Sequence, residues 1–386
     1  MRNHIIRNHM VTYLMPIIAV MALGVCAPRA DAEELLVFVS AFAADEEGAI
    51  HAYRLDVATG TLQLLRRTTD VEYPFFLAFA PDRNVLYSTH AQGKFGGAAH
   101  EHVAAFELVG DAGELKLLNR QSTRGSASCY LEVDATGKAI VVANYGTGSV
   151  ASLPIRPDGS LGEIATFVQH EGSSVDPARQ KGPHAHCAVI SPDNRFVLAA
   201  DLGLDRVITY RLDAATAELA PGRPAFVRTP PGVGPRHLTF HPDGQRVYVI
   251  NELANSITYF EYDAEPGLLI ERQTIPTLPE EFDGISYCAD VKVTPNGRFA
   301  YGTNRGHDSI AVYRVAADGT LSLVEIEPSL GRGPQNLAIT PGGELLLCAN
   351  MPGNNLVVFQ IDSQSGGLTP IGEPASMPSP SCIMIR

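Results

Sequence analysis

Four ionisable side chains stand at two fixed distances from a turn that repeats along the sequence. His186 and Arg236 each lie six residues before a turn proline, and Glu252 and Arg305 each lie ten residues after one. Histidine and glutamate can accept a proton from water, and arginine can stabilise an oxyanion or bind a carboxylate or phosphate. If the fold brings the four together, they form a centre that acts on a small anionic ligand, and we predict them as the catalytic residues.

Six further polar residues near the same turns are candidates for binding the ligand. They are His184, Asp201, Arg206, His237, Asn304 and Gln335. Gln335 also stands six residues before its turn proline. Asn304 belongs to a set of Asn and Asp residues that recur after each turn, and such a set also suits a structural role in closing loops. Asp201 and Arg206 could equally form a salt bridge that fixes their own loop.

The sequence gives little reason to expect a metal or a cofactor. His184 and His186 lie two residues apart and could face one side of a strand as metal ligands, but no third ligand is evident. There is no Gly-x-Ser-x-Gly elbow, no phosphate-binding glycine loop and no dinucleotide fingerprint, which disfavours a serine-triad esterase, a nucleotide hydrolase and a dehydrogenase. We therefore predict neither a metal nor a cofactor.

The turns belong to a repeat that covers most of the chain. Six turns, spaced 46 to 57 residues apart, have similar Pro-Asp-Asn or Pro-Asp-Gly character, and their anchors are Pro81, Ala135, Pro192, Pro242, Pro295 and Pro341. One short β-type run precedes each anchor, and further alternating runs follow it. Four antiparallel strands in about 50 residues is the period of a β-propeller blade.

The two ends of the repeat are complementary. Residues 35–70 supply the second, third and fourth strands of a blade, and residues 378–386 supply a first strand alone. Joining them closes a seventh blade, so we predict an all-β, seven-bladed β-propeller that occupies residues 33–386 as a single domain. An open β-solenoid, the alternative, would leave both incomplete ends unpaired.

A closed propeller would gather the candidate residues at one mouth of its central channel. They lie where first strands begin or second strands end, and these strand ends share one rim. A concave mouth with several convergent polar groups is the default place for a small-ligand site. The alternative is that these groups only bind water and cap strands.

Composition limits the possible partners. The chain of 386 residues is 45% hydrophobic and has a formal net charge of −13. This composition supports a large folded core and argues against a nucleic-acid partner, which needs a basic surface. We predict a monomer whose partner is a small anionic lactone or sugar acid.

The first 32 residues are typical of an export signal. Two early arginines precede an apolar run over residues 11–25, and Ala-Asp-Ala at 30–32 suits a cleavage site. We predict a periplasmic or secreted protein with no membrane attachment after cleavage; an uncleaved anchor and a lipid on Cys26 are the alternatives. Five cysteines would remain, an odd number with wide spacing, which indicates buried thiols while leaving one disulfide possible.

Several segments resemble one known family. They are GPHAH at 182–186, DLGLDR at 201–206, GPRHLTFHP at 234–242, NEL at 251–253 and NR at 304–305. Over nearly the whole mature chain the sequence resembles the seven-bladed lactonase propellers, which include propeller-type 6-phosphogluconolactonase and carboxy-cis,cis-muconate lactonizing enzyme. The resemblance implies catalytic or binding roles for His186, Arg236, Glu252 and Arg305.

The resemblance implies hydrolysis of a sugar lactone or a related acidic lactone. The family's phosphogluconolactonases work in the cytoplasm, whereas this chain has a predicted export signal. This difference argues against a phosphosugar substrate more than against the fold or the reaction type. Two alternatives remain at this point: muconate-type lactonization or cycloisomerisation by the same residues, and a non-catalytic periplasmic propeller that binds a ligand or serves as a scaffold.

Overall fold

Each blade of the molecule is a four-stranded antiparallel sheet. The computed structural model describes Met1 and residues 34–44, 47–97 and 101–386; the predicted signal and Cys26 lie outside these residues. The strands within the described residues are, in chain order, β1 (Glu34–Ala41), β2 (Ala49–Asp56), β3 (Thr61–Thr68), β4 (Leu77–Phe79), β5 (Val85–His90), β6 (His102–Val109), β7 (Glu114–Ser122), β8 (Ser128–Val133), β9 (Ala139–Asn144), β10 (Ser149–Pro154), β11 (Thr166–Gln169), β12 (Ala185–Ile190), β13 (Phe196–Asp201), β14 (Arg206–Asp213), β15 (Glu218–Arg228), β16 (Pro235–Phe240), β17 (Arg246–Asn251), β18 (Ser256–Asp263), β19 (Leu268–Pro276), β20 (Tyr287–Val293), β21 (Phe299–Arg305), β22 (Ser309–Val315), β23 (Leu321–Pro328), β24 (Pro334–Ile339), β25 (Leu345–Asn350), β26 (Asn355–Ile361), β27 (Leu368–Ser376) and β28 (Pro380–Ile385).

The strands form seven sheets, and the last strand closes the ring. Six sheets use four consecutive strands, while the seventh has the order β28-β1-β2-β3. Strand β28 pairs antiparallel with β1, from Val37 opposite Ile385 to Ala41 opposite Pro380. The predicted all-β, seven-bladed propeller closed by its C-terminal strand is therefore confirmed, and the open solenoid is wrong.

Burial explains why the inner and outer strands of a blade have such different sequences. All six residues of β9 (AIVVAN) are buried, because neighbouring blades cover both of its faces. The outermost strand β3 (TLQLLRRT) has no buried residue. Apolar clusters lie between adjacent blades; one joins Leu198 of β13 to Val249 of β17. The core thus holds blade to blade and fixes the orientation of the inner strands.

Three tyrosines at equivalent positions of second strands each connect their own blade to the next one. The hydroxyls of Tyr87, Tyr248 and Tyr301 donate hydrogen bonds to the carbonyls of Gly159, Gly319 and Gly366, at 2.9, 2.8 and 2.9 Å. All three glycines have positive φ, between 82° and 89°, a backbone conformation that other residues rarely adopt. The blades are therefore joined by a repeated polar contact as well as by apolar packing.

Among the described residues, no helix is long and apolar enough to cross a membrane.

The repeated turns found in the sequence all lie between the first and second strands of their blades, for example Pro192 between β12 and β13. The beginnings of first strands and the ends of second strands consequently meet at the opposite rim, where the candidate residues were expected.

Removing residues 380–386 is expected to abolish the folded ring. The truncation leaves β1 paired only with β2 and takes the buried Cys382 and Ile383 out of the core. An unpaired long strand edge promotes aggregation. Soluble yield and near-UV circular dichroism measure the outcome. A chain lacking only Arg386 keeps β28 complete and is the control; a truncated protein that unfolds like this control would contradict the role given to β28.

Candidate active site

One cavity receives side chains from all seven blades, which places it at the shared mouth of the ring. It has a volume of about 290 Å³. Its lining consists of Phe42, Phe75, Phe95, Cys129, Tyr145, Arg179, His186, Arg236, Glu252, Arg305, Gln335 and Met351. The four residues predicted as catalytic are all in this set, together with Gln335.

Two larger clefts lie at the other rim and have a different character. They measure about 610 and 410 Å³ and are bordered by turns between strands. Their charged groups are exposed, such as Arg272 and Glu261, whose side chains are 48% and 50% exposed. Buried, convergent charges distinguish the cavity at the mouth, and this is the feature expected of a reactive site.

Glu252 is the centre of the charged part of the cavity. Its carboxylate is 6% exposed and contacts three guanidinium groups: Arg179 at 2.6 Å, Arg236 at 3.0 Å and Arg305 at 2.9 Å. Burial alone would raise the pKa of Glu252, but the three arginines hold it below its usual value. Glu252 is therefore an ionised group that holds the arginines in place.

Arg236 is held on its inner side by a chain of buried polar groups. Its Nε donates to Glu252, and its Nη1 donates to the carbonyl of Ala289 and to Nε2 of His237, 3.2 Å away. Burial and the neighbouring Arg305 lower the pKa of Arg236 to about 10, which leaves it protonated at neutral pH. Its Nη2 has no hydrogen-bond partner among the described residues and is the donor left for a ligand.

His237 connects Arg236 to the carboxylate of Asp290. Because its Nε2 accepts from Arg236, its Nδ1 carries the proton and donates to Asp290 Oδ1 at 2.9 Å. Burial and Arg236 lower the pKa of His237 to about 4. His237 is not among the residues that line the cavity, so the predicted substrate contact is not supported by its position. It contacts Arg236 from outside the cavity lining.

His186 presents one ring nitrogen to the cavity. Its Nδ1 lies 3.6 Å from the sulfur of Cys129, and its Nε2 has no hydrogen-bond partner among the described residues. Burial, with Arg236 and His237 nearby, holds the pKa of His186 well below its ordinary value of 6.5. The imidazole is therefore neutral at physiological pH and can accept a proton.

More of the guanidinium nitrogens of Arg305 than of Arg236 are hydrogen-bonded within the protein. Its Nε donates to the carbonyl of Tyr287, its Nη1 to Gln335 at 3.3 Å, and its Nη2 to the carbonyl of Cys288. The same Nη2 forms an ion pair with Glu252 at 2.9 Å. Every nitrogen of this guanidinium already has a partner. Gln335 thus holds Arg305 in place, and Arg305 in turn holds the Glu252 carboxylate.

This arrangement can be compared with known proteins. Residues 36–385 match the model of a family described as "Lactonase, 7-bladed beta-propeller". The chain belongs to this lactonase propeller family.

Relatives in the family have related names. The chain is 33% identical over 348 residues to 6-phosphogluconolactonase from Bacillus subtilis, covering 90% of this chain and 97% of that protein. It is 30% identical over 337 residues to 6-phosphogluconolactonase from Formosa agariphila, covering 86% and 94%. The solved periplasmic gluconolactonase of Pseudomonas aeruginosa is 33% identical, with a TM-score of 0.86 and coverage of 92% and 99%.

The structure of this lactonase-family chain places four other predicted binding residues, His184, Asn304, Asp201 and Arg206, outside the cavity lining. The Nδ1–H of His184 donates to the Tyr145 carbonyl at 3.0 Å, and the His184 ring stacks on the Tyr145 ring. Asn304 donates to the hydroxyl of Ser309 at 3.1 Å, across its own loop, and to the carbonyl of Thr277 at 2.8 Å in the connection before β20. These bonds fit the structural role that was the alternative for the recurring Asn and Asp residues. Neither side chain reaches the cavity.

Asp201 also has a structural environment. Its Oδ2 lies 2.6 Å from Nδ1 of His170, and its Oδ1 accepts from the backbone amides of His184 and Gly203. All of the strong acceptor positions of this buried carboxylate are used within its own loops. The prediction that Asp201 binds substrate is therefore not supported by its position.

Arg206 forms no salt bridge with Asp201 among the described residues, and it does not line the cavity. Its guanidinium lies over the ring of Phe226, with its central carbon 4.4 Å from the ring centre. This placement supports neither the salt bridge to Asp201 nor the predicted contact with the ligand. The side chain follows the outer strand β15 instead of turning toward the channel.

The histidine pair considered for a metal is divided between two environments. His184 stacks on Tyr145, while His186 faces the cavity. The described residues contain no group of three or more His, Cys, Asp or Glu side chains placed to hold a metal ion. The described cysteines, Cys129, Cys187, Cys288, Cys348 and Cys382, are free and buried.

Sequence reasoning missed Arg179 and Tyr145. Arg179 belongs to residues 170–184, the longest connection between described strands of successive blades, and it does not stand at a repeated distance from a turn. Its Nη2 donates to Glu252 and, at 3.3 Å, to the hydroxyl of Tyr145. The unusual length of this loop at the site rim was the available signal.

An aromatic wall was also missed. Phe42, Phe75 and Phe95 pack against one another with ring centres 4.9 to 5.4 Å apart, and Met351 joins them in lining the cavity. They come from loops near the ring closure, opposite in the ring to Arg236 and Glu252. The cavity therefore has one charged side and one apolar side.

Replacing Asp290 with asparagine is expected to destabilise the protein by about 3–5 kcal/mol at pH 7, because Lys292, His237, Asn336 and a backbone amide all donate to this buried carboxylate. Burial alone would raise the pKa of Asp290, but Lys292 and His237 hold it below its ordinary value. Its contribution is present above the unfolded pKa of about 3.9 and is lost as pH falls further.

Urea unfolding at pH 7 and at lower pH tests this expectation. Wild type and Asp290→Asn should differ less in their free energy of unfolding as the pH is lowered below about 4, which is near the pKa of aspartate in the unfolded chain. Asp111→Asn, at an exposed position, is the matched control and should match wild type throughout. A difference that stays constant with pH would contradict the linkage.

Proposed function

We propose that this lactonase-family protein hydrolyses a sugar lactone or a related acidic lactone. The observation that carries the proposal is that a neutral histidine with a free Nε2 and an arginine with a free Nη2 line the same small cavity. A base for water and a donor for an oxyanion are the two groups that lactone hydrolysis needs. The relatives named as lactonases support the same reaction.

In the proposed reaction, His186 Nε2 takes a proton from water while the oxygen attacks the lactone carbonyl carbon. The carbonyl electrons move to its oxygen, which Arg236 Nη2 stabilises. The tetrahedral intermediate then collapses, the ring carbon–oxygen bond breaks, and the His186 proton passes to the departing ring oxygen. The product is an open hydroxy acid, which releases its carboxyl proton to solvent, and the resulting carboxylate remains beside the arginines.

Cys129 supports the required tautomer of His186. Burial raises the pKa of its thiol to about 12, so it stays protonated. The S–H can be donated to the carbonyl of His186, 3.4 Å away, and the sulfur can then accept the Nδ1 proton of the ring. With the proton on Nδ1, Nε2 is an acceptor. The saturated, ionised Glu252 is the weaker candidate for the base.

A pH-stat assay on D-glucono-1,5-lactone, D-glucaro-1,4-lactone and 6-phospho-D-glucono-1,5-lactone tests the activity. It should be run near pH 6.5, with His186→Asn as the matched control for spontaneous hydrolysis. We expect wild type to exceed this control on at least one lactone. If the two agree on all of them while gluconate raises the melting temperature, the protein is a binding propeller and the proposed activity is wrong.

We also propose that the protein is exported and monomeric. The leader over residues 1–32 and the name of the Pseudomonas aeruginosa relative, a periplasmic gluconolactonase, support the compartment. N-terminal sequencing of protein from a periplasmic extract should begin at Glu33, and size-exclusion chromatography should give the mass of one mature chain. A protein that keeps residues 1–32, or stays in the cytoplasmic fraction, would contradict export.

A further inference from the structure

The three arginines of the cavity differ in how much of their hydrogen-bonding capacity is already used. Arg305 has a partner for each nitrogen, and Arg236 has only Nη2 left. Arg179 uses Nη2 alone, for Glu252 and Tyr145. Its Nε and Nη1 have no hydrogen-bond partner among the described residues, so it is the guanidinium with the most capacity for a ligand.

The charges of the cavity do not balance. Its lining contains Arg179, Arg236 and Arg305 as cations and Glu252 as the described anion, and His186 is neutral. Two positive charges are left over. The oxyanion of the proposed intermediate forms at Arg236 as His186 takes up a proton, so the net charge of the cavity does not change during the reaction. An uncharged lactone would leave this excess of positive charge uncompensated, which is unfavourable in a partly buried site.

The loop that carries Arg179 is fixed in place. The carboxylate of Asp176 accepts hydrogen bonds from the backbone amides of Ala178 and Arg179, at 2.7 and 3.0 Å. The side chain of Gln180 donates to the carbonyl of Leu202 at 2.8 Å, and the Arg179 guanidinium lies 5.5 Å from the ring centre of Tyr287. Arg179 is therefore positioned before a ligand arrives, which lowers the entropy cost of binding.

We propose that Arg179 is a specificity-determining residue that binds an anionic substituent, a carboxylate or phosphate, on the lactone substrate. The proposal rests on the proposed function and names the substrate class as lactones with a second anionic group. The spare Nε and Nη1 can bind such a group in the two-pronged manner typical of arginine. Arg236 meanwhile remains available for the reacting carbonyl.

Substrate preference in the variant Arg179→Gln tests the proposal. Relative to wild type, kcat/KM should fall about 10- to 100-fold for D-glucaro-1,4-lactone or 6-phospho-D-glucono-1,5-lactone, as expected for a lost charge-assisted pair. It should fall less than about 3-fold for the neutral D-glucono-1,5-lactone, since that substrate makes no such pair. Which anionic lactone is affected more distinguishes a carboxylate from a phosphate. An equal loss on neutral and anionic lactones would overturn the proposal, because Arg179 would then act only through Glu252.

Two further variants make the result interpretable. Arg179→Lys keeps the charge and should retain part of the preference for the anionic lactones. Arg195→Gln makes the same type of change at a residue in the turn between β12 and β13, on the opposite rim from the cavity. Its side chain is 48% exposed, and this variant should leave both rates unchanged. Melting temperatures of all variants show whether each protein is folded.

Binding of the open acids separates this proposal from the proposed reaction. Glucarate carries two carboxylates and gluconate one, so wild type should bind glucarate at least about 10-fold more tightly by isothermal titration, and Arg179→Gln should lose this difference. This holds even if no lactone is hydrolysed. Equal affinities of wild type for the two acids would overturn the role of Arg179 whatever the outcome of the activity assay.

Discussion

Exchange of Arg236 for lysine is expected to lower kcat for lactone hydrolysis about 10²- to 10³-fold, the usual effect of removing an oxyanion donor. Lysine keeps the positive charge beside Glu252 but cannot keep the contacts to Glu252, Ala289 and the reacting oxygen at once. KM should change much less, because the lost interaction is made mainly in the transition state.

Stability must be measured beside the rates. Arg236 is 1% exposed, and removing one member of a buried charged cluster can cost about 3–5 kcal/mol. Arg236→Ala is therefore expected to unfold more readily than Arg236→Lys, which is the better variant for kinetics. A folded Arg236→Lys protein with the turnover of wild type would remove Arg236 from the reaction.

Replacing His186 with asparagine is expected to lower kcat about 10²- to 10⁴-fold, the range for loss of a general base. The pH dependence gives a second readout. The base works when unprotonated, and burial together with Arg236 and His237 holds the pKa of His186 well below 6.5. Activity should therefore persist as pH falls through 6.5 and decline only in more acidic solution.

Initial rates between pH 5 and 8, corrected for spontaneous hydrolysis, measure this profile. The residual activity of His186→Asn should no longer follow the acidic decline, while its melting temperature shows that the protein is folded. A wild-type rate that halves near pH 6.5 would mean that His186 titrates as an ordinary exposed histidine. That result is incompatible with the environment described here.

The repeat explains why so much of the charged site could be found without a structure. Blades are related by rotation about one axis, so equal distances from a turn become equivalent places around the channel. His186, Arg236 and Gln335 share one such distance, and Glu252 and Arg305 share another. Their meeting in one cavity follows from this geometry, and the roles given to them remain proposals.

The rest of the site could not be predicted because it does not follow the repeat. Arg179 comes from a long loop whose path depends on contacts such as that between Gln180 and Leu202. The aromatic wall comes from irregular segments around Phe42, Phe75 and Phe95. Neither loop paths nor the packing of three rings can be derived from spacing.

Arg206 and Asp201 were predicted to bind the ligand, and their positions do not support that prediction. Both lie at positions that the repeat places at the site rim, but local partners decide where their side chains point. The guanidinium of Arg206 stacks on Phe226 and so stays on its own sheet. The carboxylate of Asp201 pairs with His170. A backbone position at the rim is therefore necessary for a role in the site and is not sufficient.

The pairing of β1 with β28 has a consequence for biosynthesis. The strand that completes the first blade follows the other six blades along the chain, so a nascent chain that still lacks residues 380–386 cannot contain a finished ring. The pocket, whose walls come from every blade, can assemble only after this strand has been synthesised. The enzyme proposed here would thus remain inactive until β28 has paired with β1.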